Sequence, residues 1–254
     1  MILHAIEAGS GPPLILLHGL FGAARNFGAV QKHLARDWRV IALDLRNHGA
    51  SPHAAETGYD AMADDVMETM RALDAYPAMV LGHSMGGKAA MRAALNRPEA
   101  ITRLIVADVA PAAYEPHFRS YAQAMLDIPL APGLTRAEAD AALARTVREP
   151  GMRAFLLQNL RLGDPPAWRN GLSEIAAGLP AIEGWPDPPP GARYDGPTLF
   201  IAGARSDYIR DQHRPVMAAL FPHAEYAVVP DAGHWLHADN MSGFLAVLEP
   251  FLRA

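Results

Sequence analysis

Residues 77–91 read PAMVLGHSMGGKAAM, and the rest of the chain is organised around them. Met79, Val80 and Leu81 form a short apolar run, long enough for a buried strand. Gly82-His83-Ser84-Met85-Gly86 follows and fits G-x-S-x-G; from Gly87 to Leu95 the sequence is helix-compatible. A serine between a strand and a helix is a candidate nucleophile, because the sharp turn lifts its hydroxyl clear of the sheet. Gly82 and Gly86 carry no Cβ to block the close approach of strand and helix. The Met85 N–H, at the start of the helix, would face a developing oxyanion.

Outward from this stretch, the chain alternates between two patterns. Ile2 to Glu7 reads as a short strand, Pro13 to His18 as a strand buried on both faces, and Arg39 to Leu43 as the next. Asn26 to Ala35 and Tyr59 to Leu73 read as helices, the second with Met62, Val66, Met70 and Leu73 on one face. The helix after Ser84 runs to Asn96 and stops before Pro98; Arg103 to Ala107 is a strand ending at Asp108. This alternation predicts an α/β fold, with a mostly parallel central sheet flanked by helices. Functional groups should then gather at the carboxyl ends of the strands.

From Ala110 to about Arg193 the rhythm changes. Helical patterns over Glu115–Leu126, Thr135–Arg148, Gly151–Leu160 and Asn170–Ala177 follow one another without strands, and Gly184 to Pro197 reads as a Pro- and Gly-rich linker. We therefore expect a core of residues 1–110 and 195–254, with residues 111–194 inserted after Asp108 as a helical lid. Arg119, Arg136, Arg145, Arg148, Arg153, Arg161 and Arg169 lie on the insertion. They read either as a solvated face or as a basic rim for a phosphorylated acyl carrier. The sheet resumes at Thr198 to Ala202 and ends with Ala224 to Val229; Gln212 to Phe221 and Asn240 to Leu252 are helical.

Composition narrows the function classes. The chain has 254 residues, 50% hydrophobic and 19% charged, with a net charge of −5. Nothing here favours nucleic acid or an anionic membrane surface. No cysteine is present, so disulfides, thiol nucleophiles and Cys-ligated metals are ruled out. No stretch approaches the roughly 20 apolar residues of a membrane span, and the N-terminus has no signal-peptide pattern. The expectation is a cytoplasmic protein with no membrane insertion and no cofactor. His234 and His237, three residues apart, have no carboxylate or third histidine at ligand spacing nearby, so we expect no metal site.

A serine nucleophile needs a base and an orienting acid. His234, in the Asp231-Ala232-Gly233-His234-Trp235 loop after the last strand, is the candidate base; His237 reads as an ordinary histidine. Two carboxylates could orient it. Asp207 follows the strand after the insertion, one place later than is usual, with Ser206 holding the usual place. Asp108 ends the strand after the nucleophile helix. Gly19-Leu20-Phe21-Gly22 follows a buried strand and could present a second oxyanion N–H: that of Leu20, with Phe21 as the fallback. His18 reads as a structural ring that shapes this loop. Phe21, His83 and Trp235 are candidate substrate-binding residues.

The segments LLHGLFGAARNF (16–27), DLRNHGASPH (44–53), GHSMGGKAAM (82–91), LIVADVAPAAY (104–114), FLLQNLR (155–161) and AGHWLHAD (232–239) together resemble the α/β-hydrolase superfamily. Within it the chain is similar to the small bacterial YbfF-type esterases and acyl-CoA thioesterases. The order Ser…Asp…His fits that fold. In that branch the strand-end Asp serves as the acid, which maps onto Asp108; the chain departs from the pattern in having Asp207 where Pro is usual. The resemblance implies a small-molecule ester or thioester substrate with a short to medium acyl chain. Carbon–carbon bond hydrolysis and cofactor-free perhydrolysis are alternatives on the same residues, and a non-catalytic small-molecule receptor is a third reading.

Overall fold

The computed structural model describes residues 1–254. Its sheet is built from β1 (Ala5–Ala8), β2 (Pro13–Leu17), β3 (Arg39–Leu43), β4 (Ala78–His83) and β5 (Ile101–Ala107), together with two strands from the C-terminal part of the chain. Between them lie α1 (Gly28–Leu34), α2 (Tyr59–Ala72) and α3 (Met85–Asn96). The chain from β5 onward holds α4 (Arg119–Leu126), α5 (Arg136–Leu143), α6 (Pro150–Leu157), a hairpin of β6 (Leu160–Arg161) and β7 (Ala167–Trp168), and α7 (Leu172–Glu183). It then returns to the sheet with β8 (Thr198–Gly203), α8 (Arg214–Leu220), β9 (Ala224–Val229), α9 (Leu236–Asp239) and α10 (Met241–Arg253).

The sheet order is β1-β3-β2-β4-β5-β8-β9, and every pair is parallel except β1 with β3. The apolar runs are continuous because both faces are covered. Ile15, Leu17 and Val80 join one buried cluster with Met62, Val66 and Met70 of α2. Leu14, Leu16, Met79 and Leu81 join a second with Val30 and Leu34 of α1 and Phe244 and Leu248 of α10. The chain order reverses between β2 and β4, whose ends pair Leu17 with Gly82. A crevice opens at such a reversal, at the carboxyl ends of the strands.

Two expectations for the inserted stretch need correction. Helix α4 begins at Arg119 rather than Glu115. Pro116 disfavours the helical conformation at Glu115, so the chain enters the helix late. The stretch is also not strand-free: β6 and β7 pair Leu160 with Trp168 and Arg161 with Ala167. Ala122, Met125, Leu156, Leu160 and Ile175 of this stretch are buried in the same cluster as α2 and α3, so it packs continuously onto one face of the sheet. No helix is long and apolar enough to cross a membrane.

Candidate active site

Ser84 lies between β4 and α3 at φ 53°, ψ −121°. A non-glycine residue in this region is strained, and such strain persists only where the surroundings enforce it. Here they do. The Ser84 N–H donates to the Ala107 carbonyl at 3.0 Å, and a Cβ on Gly82 would run into the backbone of Gly86. A Cβ on Gly86 would meet the carbonyls of Leu17 and His18. Phe21 (φ 59°) and Asp108 (φ 55°) are strained in the same way, so three of the chain's six positive-φ non-glycine residues surround one point.

The imidazole of His234 bridges two of these residues. Ser84 Oγ–H donates to His234 Nε2 at 3.0 Å, and Nδ1–H donates to Asp108 Oδ2 at 2.7 Å. Asp108 is fully buried, yet its carboxylate is well supplied with donors. Gly203 N–H reaches Oδ1 at 3.1 Å, and the Ser206 hydroxyl donates to Oδ2. Asp207 does not take this place. It points outward, 78% exposed, and pairs with Arg210 at 2.6 Å. The loop after β8 thus turns the Ser206 side chain toward Asp108 and leaves the Asp207 side chain on the surface.

His234 must cross the sheet to reach Ser84, since β9 is three strands from β4. Its loop is fastened at several points. Arg205 N–H donates to the Ala232 carbonyl at 2.8 Å, and Gly233 N–H to Asp239 Oδ2 at 2.8 Å. His83 Nε2–H donates to the His234 carbonyl at 2.7 Å. Tyr208 stacks on the imidazole, with centroids 3.9 Å apart and planes at 16°. Burial, with the nearby Asp108 charge, pushes its phenol up to about 12, so it is neutral against the imidazole. Tyr208 does not stand out in the sequence, and Ser206 is marked only by holding the usual acid position.

The glycine loop after β2 lies against Ser84, for a Cβ on Gly19 would sit 3.2 Å from the serine Cβ. Of the two donors considered in this loop, only Leu20 is free. Phe21 N–H donates to His48 Nε2 at 3.1 Å. The Leu20 N–H has no partner within the protein. Met85 is the first residue of α3, so its N–H has no carbonyl one turn back. His18 and His48 fix the loop as neutral rings. Leu45 N–H donates to His18 Nε2 at 3.0 Å, and His48 Nδ1–H donates to the Arg46 carbonyl at 2.8 Å. Burial lowers both, His48 to about 3.

Ser84 opens into a cavity of about 320 Å³. Phe21 and Trp235 line it, with Phe118, Tyr121, Met152 and Phe155 from the inserted stretch. His83 also lines it, but its Nε2 is committed to the loop carbonyl, which makes it a support for His234. His237 lines it too, stacked on Phe27 at 4.8 Å, with Nδ1 buried and without a partner. No arginine or lysine reaches this wall. Arg136 instead donates to the Leu157 carbonyl, and Arg153 pairs with Asp140.

A strained serine at the end of a parallel strand, hydrogen-bonded through histidine to a buried carboxylate, is the arrangement of a serine hydrolase. Comparison with known proteins agrees. The family model described as the alpha/beta hydrolase fold matches residues 12–241. The chain is 38% identical over 250 residues to the sn-1-specific diacylglycerol lipase ABHD11 of Mus musculus, covering 95% of this chain and 81% of that protein. It is 35% identical to Esterase YbfF of Escherichia coli, covering 95% and 92%. A solved marine microorganism esterase superposes with a TM-score of 0.93 at 34% identity, covering 98% of this chain and 99% of that one. The chain belongs to the α/β-hydrolase family and is an enzyme of the serine hydrolase type.

Proposed function

We propose that this enzyme hydrolyses carboxylic esters of short to medium acyl chains through an acyl-enzyme on Ser84. The carrying observation is the Ser84–His234–Asp108 chain, with links of 3.0 and 2.7 Å, at the mouth of a largely apolar cavity. Ser84 Oγ attacks the acyl carbon as its proton passes to His234 Nε2. Asp108 holds the Nδ1–H tautomer and stabilises the imidazolium. The N–H groups of Leu20 and Met85 take the oxyanion, each contributing about 10²–10³ in rate. His234 returns the proton to the leaving oxygen, and water then cleaves the acyl-enzyme with the same base. Residues 111–194 serve as the lid, supplying Phe118, just before α4, and Phe155 of α6 to the cavity wall.

The names of the relatives, a lipase and an esterase, support an ester substrate. Thioesters would follow the same path with a thiolate leaving group. The cavity lining offers an acyl carrier's phosphates no arginine or lysine, so oxygen esters are the better fit. The test is a panel of p-nitrophenyl esters from acetate to palmitate beside acyl-CoA thioesters. Wild type should cleave the shorter esters, and Ser84→Ala should lose on the order of 10⁶ in kcat. A loss of less than tenfold would remove Ser84 from the mechanism.

A further inference from the structure

A second, small cavity of about 30 Å³ also opens at Ser84. Leu20, Ser84 and Met85 line it, and so do Tyr59, Lys88 and Tyr114; His234 does not. The leaving group must sit beside His234, which protonates it, and so belongs in the large cavity. The acyl group then has the small one, next to the two oxyanion N–H groups. That space holds roughly two to three heavy atoms beyond the carbonyl.

Lys88 is one helical turn past Ser84 on α3 and is only 2% exposed. Long side chains on a helix lean back toward its N-terminus, here toward Ser84. Its Nζ donates to the carbonyls of Glu183 at 3.2 Å and Gly184 at 2.6 Å, which uses two of three donors. It also faces the rings of Tyr114, at 4.7 Å, and Tyr59, at 5.6 Å, both in the wall of the small cavity. A buried ammonium with a donor left over, at the edge of an acyl-sized space, is built to meet an oxygen. The Glu183 carboxylate also lines that space and holds the N–H groups of His117 and Phe118, so a second negative charge is disfavoured there.

We propose that the small cavity is the acyl site and that Lys88 selects short acyl groups carrying a neutral acceptor oxygen two to three bonds beyond the carbonyl, as in 3-hydroxyacyl or 3-oxoacyl esters. Burial lowers the ammonium to about 7, so an acceptor there also offsets part of its desolvation. The proposal rests on the acyl-enzyme reading above.

The experiment compares p-nitrophenyl butanoate, its isostere p-nitrophenyl 3-hydroxypropanoate and mono-p-nitrophenyl succinate on wild type and Lys88→Met. Wild type should prefer the 3-hydroxypropanoate over the butanoate in kcat/KM by about ten- to a hundredfold, the range expected of one hydrogen bond to a charged donor. The succinate should be the poorest. In Lys88→Met the ratio should fall to about one, however far the loss of the Glu183 and Gly184 contacts moves both rates together. A wild-type ratio near one overturns the proposal without any variant, as does a ratio that survives in Lys88→Met. A preference for the succinate overturns the neutral-oxygen class. If none of the three esters is cleaved, the ester reading itself fails and takes this proposal with it, a result distinct from a flat preference.

Discussion

Nδ1 of His234 lies 2.7 Å from Oδ2 of Asp108, a carboxylate with no exposure to solvent. Asp207, almost beside it in the fold, faces the other way and pairs with Arg210. The two aspartates should therefore respond oppositely to the same change. Asp108→Asn keeps the shape but favours the wrong imidazole tautomer, and kcat for p-nitrophenyl butanoate should fall by on the order of 10³–10⁴. Asp207→Asn removes an exposed ion pair and should leave kcat within about twofold. If Asp207→Asn is the damaging change, the placement of the acid is wrong.

Ser206 gives the buried Asp108 carboxylate a hydroxyl donor. Ser206→Ala leaves a buried carboxylate one hydrogen bond short. We expect kcat/KM to fall by about tenfold, at the low end of what a hydrogen bond to a charged group contributes. An unchanged value would mean that the backbone donor from Gly203 suffices alone.

How much of this is legible in the sequence depends on the range of the signal. The strands at Arg39–Leu43 and Ala224–Val229 stand in the sequence with the bounds they have in the structure, because apolar runs between polar turns are local marks. The hairpin of Leu160–Arg161 with Ala167–Trp168 is invisible, since two-residue strands have no period. A single proline, Pro116, shifts the start of α4 away from where the helical pattern begins. The choice between Asp108 and Asp207 turns on which way one loop side chain points, and no local pattern encodes that. The loss of the Phe21 N–H to His48 joins residues 27 apart in the chain.

Burial keeps His48 and His237 neutral, lowering them to about 3 and about 4. In the unfolded chain both would titrate near 6.5. Below that pH the unfolded chain binds protons that the native rings refuse, so stability is complete above about 6.5 and is lost as pH falls toward 4. Each ring contributes a slope of up to about 1.4 kcal/mol per pH unit. Urea unfolding at pH 7, 6 and 5 should show the decline. His237→Phe, which keeps the stacking on Phe27, should flatten it by one ring's share. A slope identical in the two proteins would contradict the assignment.

Two glycines make opposite predictions. Gly86→Ala drives a methyl into the carbonyls of Leu17 and His18, backbone that cannot move aside. We expect a loss of at least about 3 kcal/mol, or insoluble protein. Gly28 opens α1 with ordinary helical angles, and no other group lies within 4 Å of where an added methyl would stand. Gly28→Ala should stabilise by about 0.4–1 kcal/mol. Thermal melts of the two variants beside wild type decide both.

The measurement that bears most directly on the central claim is covalent labelling with a fluorophosphonate, read by peptide mass spectrometry. We expect one adduct per chain, on the peptide holding Ser84, absent in Ser84→Ala and formed far more slowly in Asp108→Asn. An unlabelled wild-type protein, or an adduct on another residue, would contradict the account of Ser84 as a nucleophile activated through His234 and Asp108.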